Sequence, residues 1–135
     1  MKTSHILYEG NLRTTCTHVR SGKEIITDAP VDNQGKGEAF SPTDLTATSL
    51  AACLITTMAI AAGKKQLSIQ AMEAECLKVM VADPRRISEV VIEVKINAPG
   101  LNEEERKYLE NIGDNCPVAL SLHPDIKQNI SYNWS

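Results

Sequence analysis

The chain predicts a single mixed domain of strands and helices, spanning residues 1–135 and arranged around one long central helix. Three observations carry this: a capped apolar helix signal opening at Ser41-Pro42, strict apolar alternation between Arg86 and Asn97, and the chain length. At 135 residues it matches the roughly 100 to 200 that one core commonly spans. Hydrophobic residues make up 42% and charged residues 23%, so the chain can bury a core and carries no bias towards disorder. Aromatics are only 4%. The core is therefore left to Leu, Ile, Val, Met and Ala, which suits close helix packing and an interface shared between subunits.

The elements follow in order. His5 to Tyr8, Leu12 to Val19 and Glu24 to Thr27 read as the strands of a small N-terminal meander, punctuated by Gly10 and Ser21-Gly22. Asp32 to Gly37, DNQGKG, offers two glycines and little to bury, the composition of a flexible loop ahead of the helix. Ser41 then caps, Pro42 fits the first helical position where its missing N–H costs nothing, and Asp44 sets a negative charge on the positive helix end. Gly63, followed by Lys64 and Lys65, reads as the stop. About 21 residues at 1.5 Å each give a helix of roughly 30 Å, the width of a small domain. Its apolar residues fall on more than one face (Leu45, Leu50, Leu54, Ile55, Met58, Ile60), so burial nearly all round is expected.

Two strands come next, one within Ser68 to Val81 and one from Arg86 to Asn97, joined by a turn at Asp83-Pro84. In the second, Val90, Ile92, Val94 and Ile96 alternate with Val91, Glu93 and Lys95, the period of a strand with one buried face. Asn102 caps a helix rich in early glutamates that Gly113 stops, Pro117 opens a short further helix, and Asn129 to Trp134 forms a last strand.

Several classes of function are disfavoured. The net charge of −3 and scattered basic residues argue against nucleic acid. The start, MKTSHILYEG, is not a secretory signal, so a cytoplasmic address and reduced thiols are expected. Ala47 to Ala62 falls short of the roughly 20 strongly apolar residues of a membrane span. No metal site is expected: Cys16 and His18 share a strand face, but the three histidines form no familiar zinc spacing. There is also no glycine-rich phosphate loop and no GxSxG nucleophile elbow, and no cofactor is expected.

Four cysteines remain. Cys116 falls at the cap position before Pro117, where unpaired N–H groups and the helix dipole favour a thiolate. It reads either as a reactive sulfur or as a small buried hydrophobe. Cys53 lies three turns inside the long helix among Ser49, Ala51, Ala52, Thr56 and Thr57. Taken alone it reads as core packing, with room for another element or subunit to approach the sulfur. Cys16 and Cys76, in strands, read as buried structural residues. His123 is placed to act as a base but is expected to face solvent.

The opening Ser41-Pro42-Thr43-Asp44-Leu45, a cysteine after Ala51-Ala52, and a late Asn115-Cys116-Pro117-Val118 together resemble the OsmC/Ohr family of osmotically inducible and organic hydroperoxide resistance proteins. The resemblance extends over essentially the whole chain. It implies an α+β fold in which two protomers intertwine around the long helices, with active sites at the homodimer interface. It also implies a thiol peroxidase acting on organic hydroperoxides, in which Cys53 attacks the O–O bond and becomes a sulfenic acid. Cys116 then resolves it as a disulfide, and a dithiol reductant restores the pair. The family's Glu after the helix-opening proline is replaced here by Thr43 and Asp44, and no Arg occurs between Arg20 and Arg85. Candidates for the missing activating groups are Asp44, Glu38, Lys36, Arg13 and Arg20, which places the chain on a divergent branch. A non-catalytic protein binding a small ligand, or a redox sensor, is the alternative.

Overall fold

A computed structural model describes residues 1–135 in full. The chain divides into two compact units, Met1–Thr46 and Ala47–Ser135.

The first unit contains β1 (Ser4–Gly10), β2 (Arg13–His18) and β3 (Glu24–Asp28), paired antiparallel in that order as the expected meander. The β1–β2 turn holds Asn11 (φ 55°) and Leu12 (φ 64°) in the left-handed region, the geometry a tight hairpin needs at its two central positions. Leu12 thus belongs to the turn, and β2 begins one residue later than its composition suggests. Within this unit only Thr27, Asp28 and Ser41 are buried, and no apolar side chain is. Ile6, Tyr8, Ile26 and Phe40 all stand exposed.

The DNQGKG segment folds into a hydrogen-bonded loop. Val31–Asn33 forms a single 3-10 turn, the Gly35 N–H donates to the Pro30 carbonyl at 2.9 Å, and the Gly37 N–H donates to the Ala29 carbonyl at 3.2 Å. A Cβ at Gly35 would collide with the Ala29 carbonyl, so this close backbone approach is what requires glycine.

The long helix α1 (Pro42–Lys64) has 23 residues. The Ser41 hydroxyl accepts the Asp44 N–H at 3.1 Å and the Asp44 carboxylate accepts the Ser41 N–H at 3.0 Å, a reciprocal capping box. At the other end the expected stop at Gly63 gives way to a later one. Gly63 stays helical, Gln66 takes the left-handed position (φ 58°), and the Leu67 N–H closes onto the Ala62 carbonyl at 2.8 Å, a Schellman-type ending. Within the single chain, burial of α1 is one-sided. Seven residues are buried, Ala47, Leu50, Ala51, Leu54, Met58, Ala61 and Ala62, whereas Thr46, Ser49, Ala52, Thr56, Ala59 and Ile60 are exposed. By length and hydropathy (1.8) the helix is apolar enough to cross a membrane, yet its buried face belongs to the core of the second unit.

That core is completed by β4 (Ala71–Val81), β5 (Arg86–Asn97), α2 (Glu103–Asp114), α3 (Pro117–Ser121) and β6 (Lys127–Trp134). β4 pairs antiparallel with β5, and β6 pairs parallel with β5, which places β5 at the centre. Its alternation holds: Val90, Ile92, Val94 and Ile96 are buried, while Glu93 and Lys95 face out. Each fully buried side chain of this kind contributes about 1.5–3 kcal/mol. Asn102 and Glu105 form a second capping box at the start of α2.

Candidate functional site

Two sulfurs meet in the second unit. Cys53 is carried on the third turn of α1, half-buried beside Leu54. Cys116 is delivered by the corner between α2 and α3. α2 ends at Asp114, the Cys116 N–H donates to the Gly113 carbonyl at 3.2 Å, and Cys116 is extended (φ −65°, ψ 158°) so that Pro117 can open α3. The cap position read from the sequence is therefore occupied as expected. The thiol, however, is completely buried.

The two thiols lie within hydrogen-bonding contact, and their surroundings drive them apart in acidity. Burial is the largest influence on Cys53 and raises its pKa. Hydrogen bonds from the Val118 amide, the Thr57 hydroxyl and the Cys116 thiol outweigh it and hold Cys53 below the ordinary thiol value. The Thr57 hydroxyl sits 3.8 Å from the sulfur, one helical turn on. Burial likewise pushes Cys116 up. The Ala119 and Val118 amides oppose it, but the neighbouring Cys53 adds to the rise. This reverses the expectation that Cys116 is the ready thiolate: a backbone donor near the start of α3 stabilises negative charge on Cys53, and Cys116 keeps its proton and donates it. Such a pair can ionise Cys53 first, and it can form a disulfide once Cys53 is oxidised.

A second cluster forms inside the first unit. Arg13 grips Asp28 with both arms of its guanidinium, Nε at 2.7 Å and Nη2 at 2.8 Å, and reaches Glu38 at 3.3 Å. The Glu38 N–H adds a bond to the Asp28 carboxylate at 3.1 Å. The Arg13 side chain, first among these influences, holds the Asp28 carboxyl below the usual carboxylate range, and burial opposes it. Lys36 contributes charge only, through its field at Asp28. Asp44 is committed to the helix cap, and with Glu38 it lines an open groove of about 830 Å³ walled by Ile25, Ile26 and Phe40. Arg20 stands exposed in the β2–β3 turn and does not join the cluster.

Asp28, Thr57 and the Val118 amide were not foreseen as site groups. Asp28 is directly opposite Arg13 in the β2–β3 register, so a hairpin alignment would have revealed it. Thr57 follows from helical spacing. The two remaining cysteines are less buried than expected, Cys16 being half-buried and Cys76 exposed. His123 is exposed, as expected.

The OsmC-like protein family model matches residues 35–131. Among solved structures, a protein from Psychrobacter arcticus 273-4 described as osmotic stress induced and a detoxification response protein is 53% identical, with 98% of this chain and 96% of that one covered and a TM-score of 0.93. An OsmC-like protein from Mycoplasma pneumoniae is 19% identical over 99% of this chain and 97% of its own, with a TM-score of 0.82. An organic hydroperoxide resistance protein OsmC from Legionella pneumophila is 18% identical over 98% of each chain, with a TM-score of 0.73. Among curated proteins none matches the chain. The mixed α+β architecture is shared with these structures, and with a family model covering most of its length the chain belongs to the OsmC-like protein family.

Proposed function

We propose that the protein is a thiol peroxidase that reduces organic hydroperoxides in the cytoplasm. The observation that carries this reading is the Cys53–Cys116 contact with its uneven acidity. Family membership and neighbours named for hydroperoxide resistance support a stress-related or peroxide-related role.

The steps follow from the two sulfurs. The Cys53 thiolate attacks the terminal peroxide oxygen, an S–O bond forms, the O–O bond breaks, and the alkoxide leaves as the alcohol after protonation. Cys116, once it gives up its proton, attacks the sulfenic sulfur and expels water, forming the disulfide. A dithiol reductant then opens the disulfide by two exchanges and leaves as its own disulfide.

A homodimer is part of the proposal. A unit that buries no apolar side chain, and a long helix with an exposed face of small residues, are surfaces that a second copy would cover. Turnover of tert-butyl or cumene hydroperoxide with a dithiol tests the reading. Wild type should turn over, Cys53→Ser should be inert, and Cys116→Ser should consume about one peroxide per chain and stall. Equal turnover in Cys53→Ser and wild type would sink it. The open groove with its apolar wall favours a second reading, a protein that binds a small apolar ligand, which predicts ligand binding unaffected by Cys53→Ala and no peroxide consumed by wild type.

A further inference from the structure

The corner that delivers Cys116 is fastened from β6, the last strand. The inward side chains of β6 reach the helical segment three times. Gln128 Nε2 donates to the Ala119 carbonyl at 3.0 Å, the Tyr132 hydroxyl donates to the Asp114 carboxylate at 2.7 Å, and Trp134 Nε1 donates to the Glu110 carboxylate at 2.8 Å. The Tyr132 bond is the one nearest Cys116 in sequence, two residues before it. The same hydroxyl lies 3.2 Å from the Glu110 carbonyl. A Cβ at Gly113 would stand only 2.7 Å from the Tyr132 oxygen, so the helix has been thinned at this point to admit the phenol. Burial first, then the Asp114 carboxylate, keeps that phenol protonated above its usual range, and Cys116 is close enough to contribute. Tyr132 is therefore a permanent donor to Asp114, two residues before the buried sulfur.

We infer that Tyr132 is a positioning residue for the Cys53–Cys116 redox pair, holding the Asp114–Cys116 corner so that the Cys116 sulfur meets Cys53 in line for disulfide formation. The inference rests on the assignment of Cys116 as the resolving thiol. It concerns the second sulfur–sulfur step alone, because nothing in the Tyr132 contacts touches Cys53. A misplacement of this kind slows an intramolecular step without abolishing it.

The test uses oxidised glutathione, which separates this inference from the peroxide chemistry. The Cys53 thiolate attacks glutathione disulfide, giving a Cys53–glutathione mixed disulfide and one glutathione thiolate. Cys116 then attacks the Cys53 sulfur, forming the internal disulfide and releasing the second glutathione. Quenched-flow mass spectrometry resolves both steps. In Tyr132→Phe the first step, measured in a Cys116→Ser background, should stay within about twofold of Cys116→Ser alone. The second should slow by about tenfold or more, on the scale of one lost hydrogen bond to a charged group. Asp114→Asn, which keeps an acceptor, should stay close to wild type, whereas a defect in Asp114→Ala, with the ring intact, is a result that a merely structural role for the ring does not produce. Asp114→Ala removes the acceptor without touching the ring and should reproduce the defect even if Tyr132→Phe fails to fold. A second step unchanged in whichever of Tyr132→Phe and Asp114→Ala folds overturns the inference, as does a wild type that never closes the internal disulfide. Failure with peroxide alongside a slowed glutathione step would refute the peroxidase reading and leave the positioning role standing.

Discussion

Gly113→Ala would introduce one methyl group where the structure has no room for it. A Cβ there would stand 2.7 Å from the Tyr132 oxygen, 3.1 Å from the Met58 sulfur and 3.2 Å from Leu54 Cγ. Met58 is a flexible end and can yield, but Leu54 is fully buried on α1 and the Tyr132 ring is fixed by its bond to Asp114. Overpacking of this kind costs about 1–3 kcal/mol, and displacing the phenol weakens a hydrogen bond to a charged group worth about 1.5 kcal/mol at the low end. Removing glycine from a helix interior returns about 1 kcal/mol. The net expectation is a loss of about 2 kcal/mol, or about 7 °C in Tm for a chain of this size. Calorimetry or denaturant unfolding at one fixed protein concentration measures it. Gly100→Ala is the matched control: its Cβ meets nothing within 4 Å and its backbone is ordinary, so it should be neutral or gain up to about 1 kcal/mol. If Gly113→Ala proves as stable as Gly100→Ala, the close approach of α2, α1 and Tyr132 is wrong.

Other consequences are equally direct. Thr57→Val removes one long hydrogen bond to the Cys53 sulfur, worth about 1 kcal/mol. The alkylation rate of Cys53 by iodoacetamide below the pKa should therefore fall about fivefold, and no change would remove Thr57 from the site. In wild type, Cys53 alkylation should rise with pH through a midpoint below the free thiol value of about 8.5, because its pKa is lowered, while Cys116, whose pKa is raised, should react only at higher pH. Identical midpoints would contradict the uneven acidity. Asp28 has its carboxyl pKa depressed in the folded state, so the stability it contributes is present above the unfolded value of about 3.9 and is lost as pH falls through the folded value. Asp28→Asn should be less stable at pH 7, and the gap should close on acidification; a gap independent of pH would count against the Arg13 pairing. Sedimentation should find a dimer, and a monomer across the micromolar range would remove the shared interface from the proposal.

How much of this was legible in the sequence depends on how local each signal is. Ser41-Pro42-Thr43-Asp44 and Asn102 with Glu105 cap helices through bonds spanning three residues, and both were readable. The alternation of β5 was readable because a single strand records which of its faces is buried. The end of α1 was misjudged by a few residues, since Gln66 can occupy the left-handed position that Gly63 was expected to supply. The all-round burial expected of α1 is not reached within the single chain, where Ala occupies both the covered and the open faces and Ile60 stands exposed. The acidity of Cys116 was misread for a different reason. Its cap position is local, but the burial that raises its pKa comes from how the core closes around it, and the Val118 amide also serves the sulfur of a residue far away in the chain. Tyr132 carried no local signal at all, because its role exists only once β6 lies parallel to β5 beside the helices.

The central claim is that Cys53 and Cys116 form one redox pair with Cys53 as the attacking thiol. Its most direct test is peptide mapping of the reduced protein after one equivalent of tert-butyl hydroperoxide, with free thiols blocked before digestion. The expected result is a single Cys53–Cys116 disulfide, with Cys16 and Cys76 blocked as free thiols, and a Cys53 sulfenic acid trapped by dimedone in Cys116→Ser. Recovery of both Cys53 and Cys116 as unoxidised thiols, or dimedone capture on Cys116 in Cys53→Ser with none on Cys53 in Cys116→Ser, would contradict it.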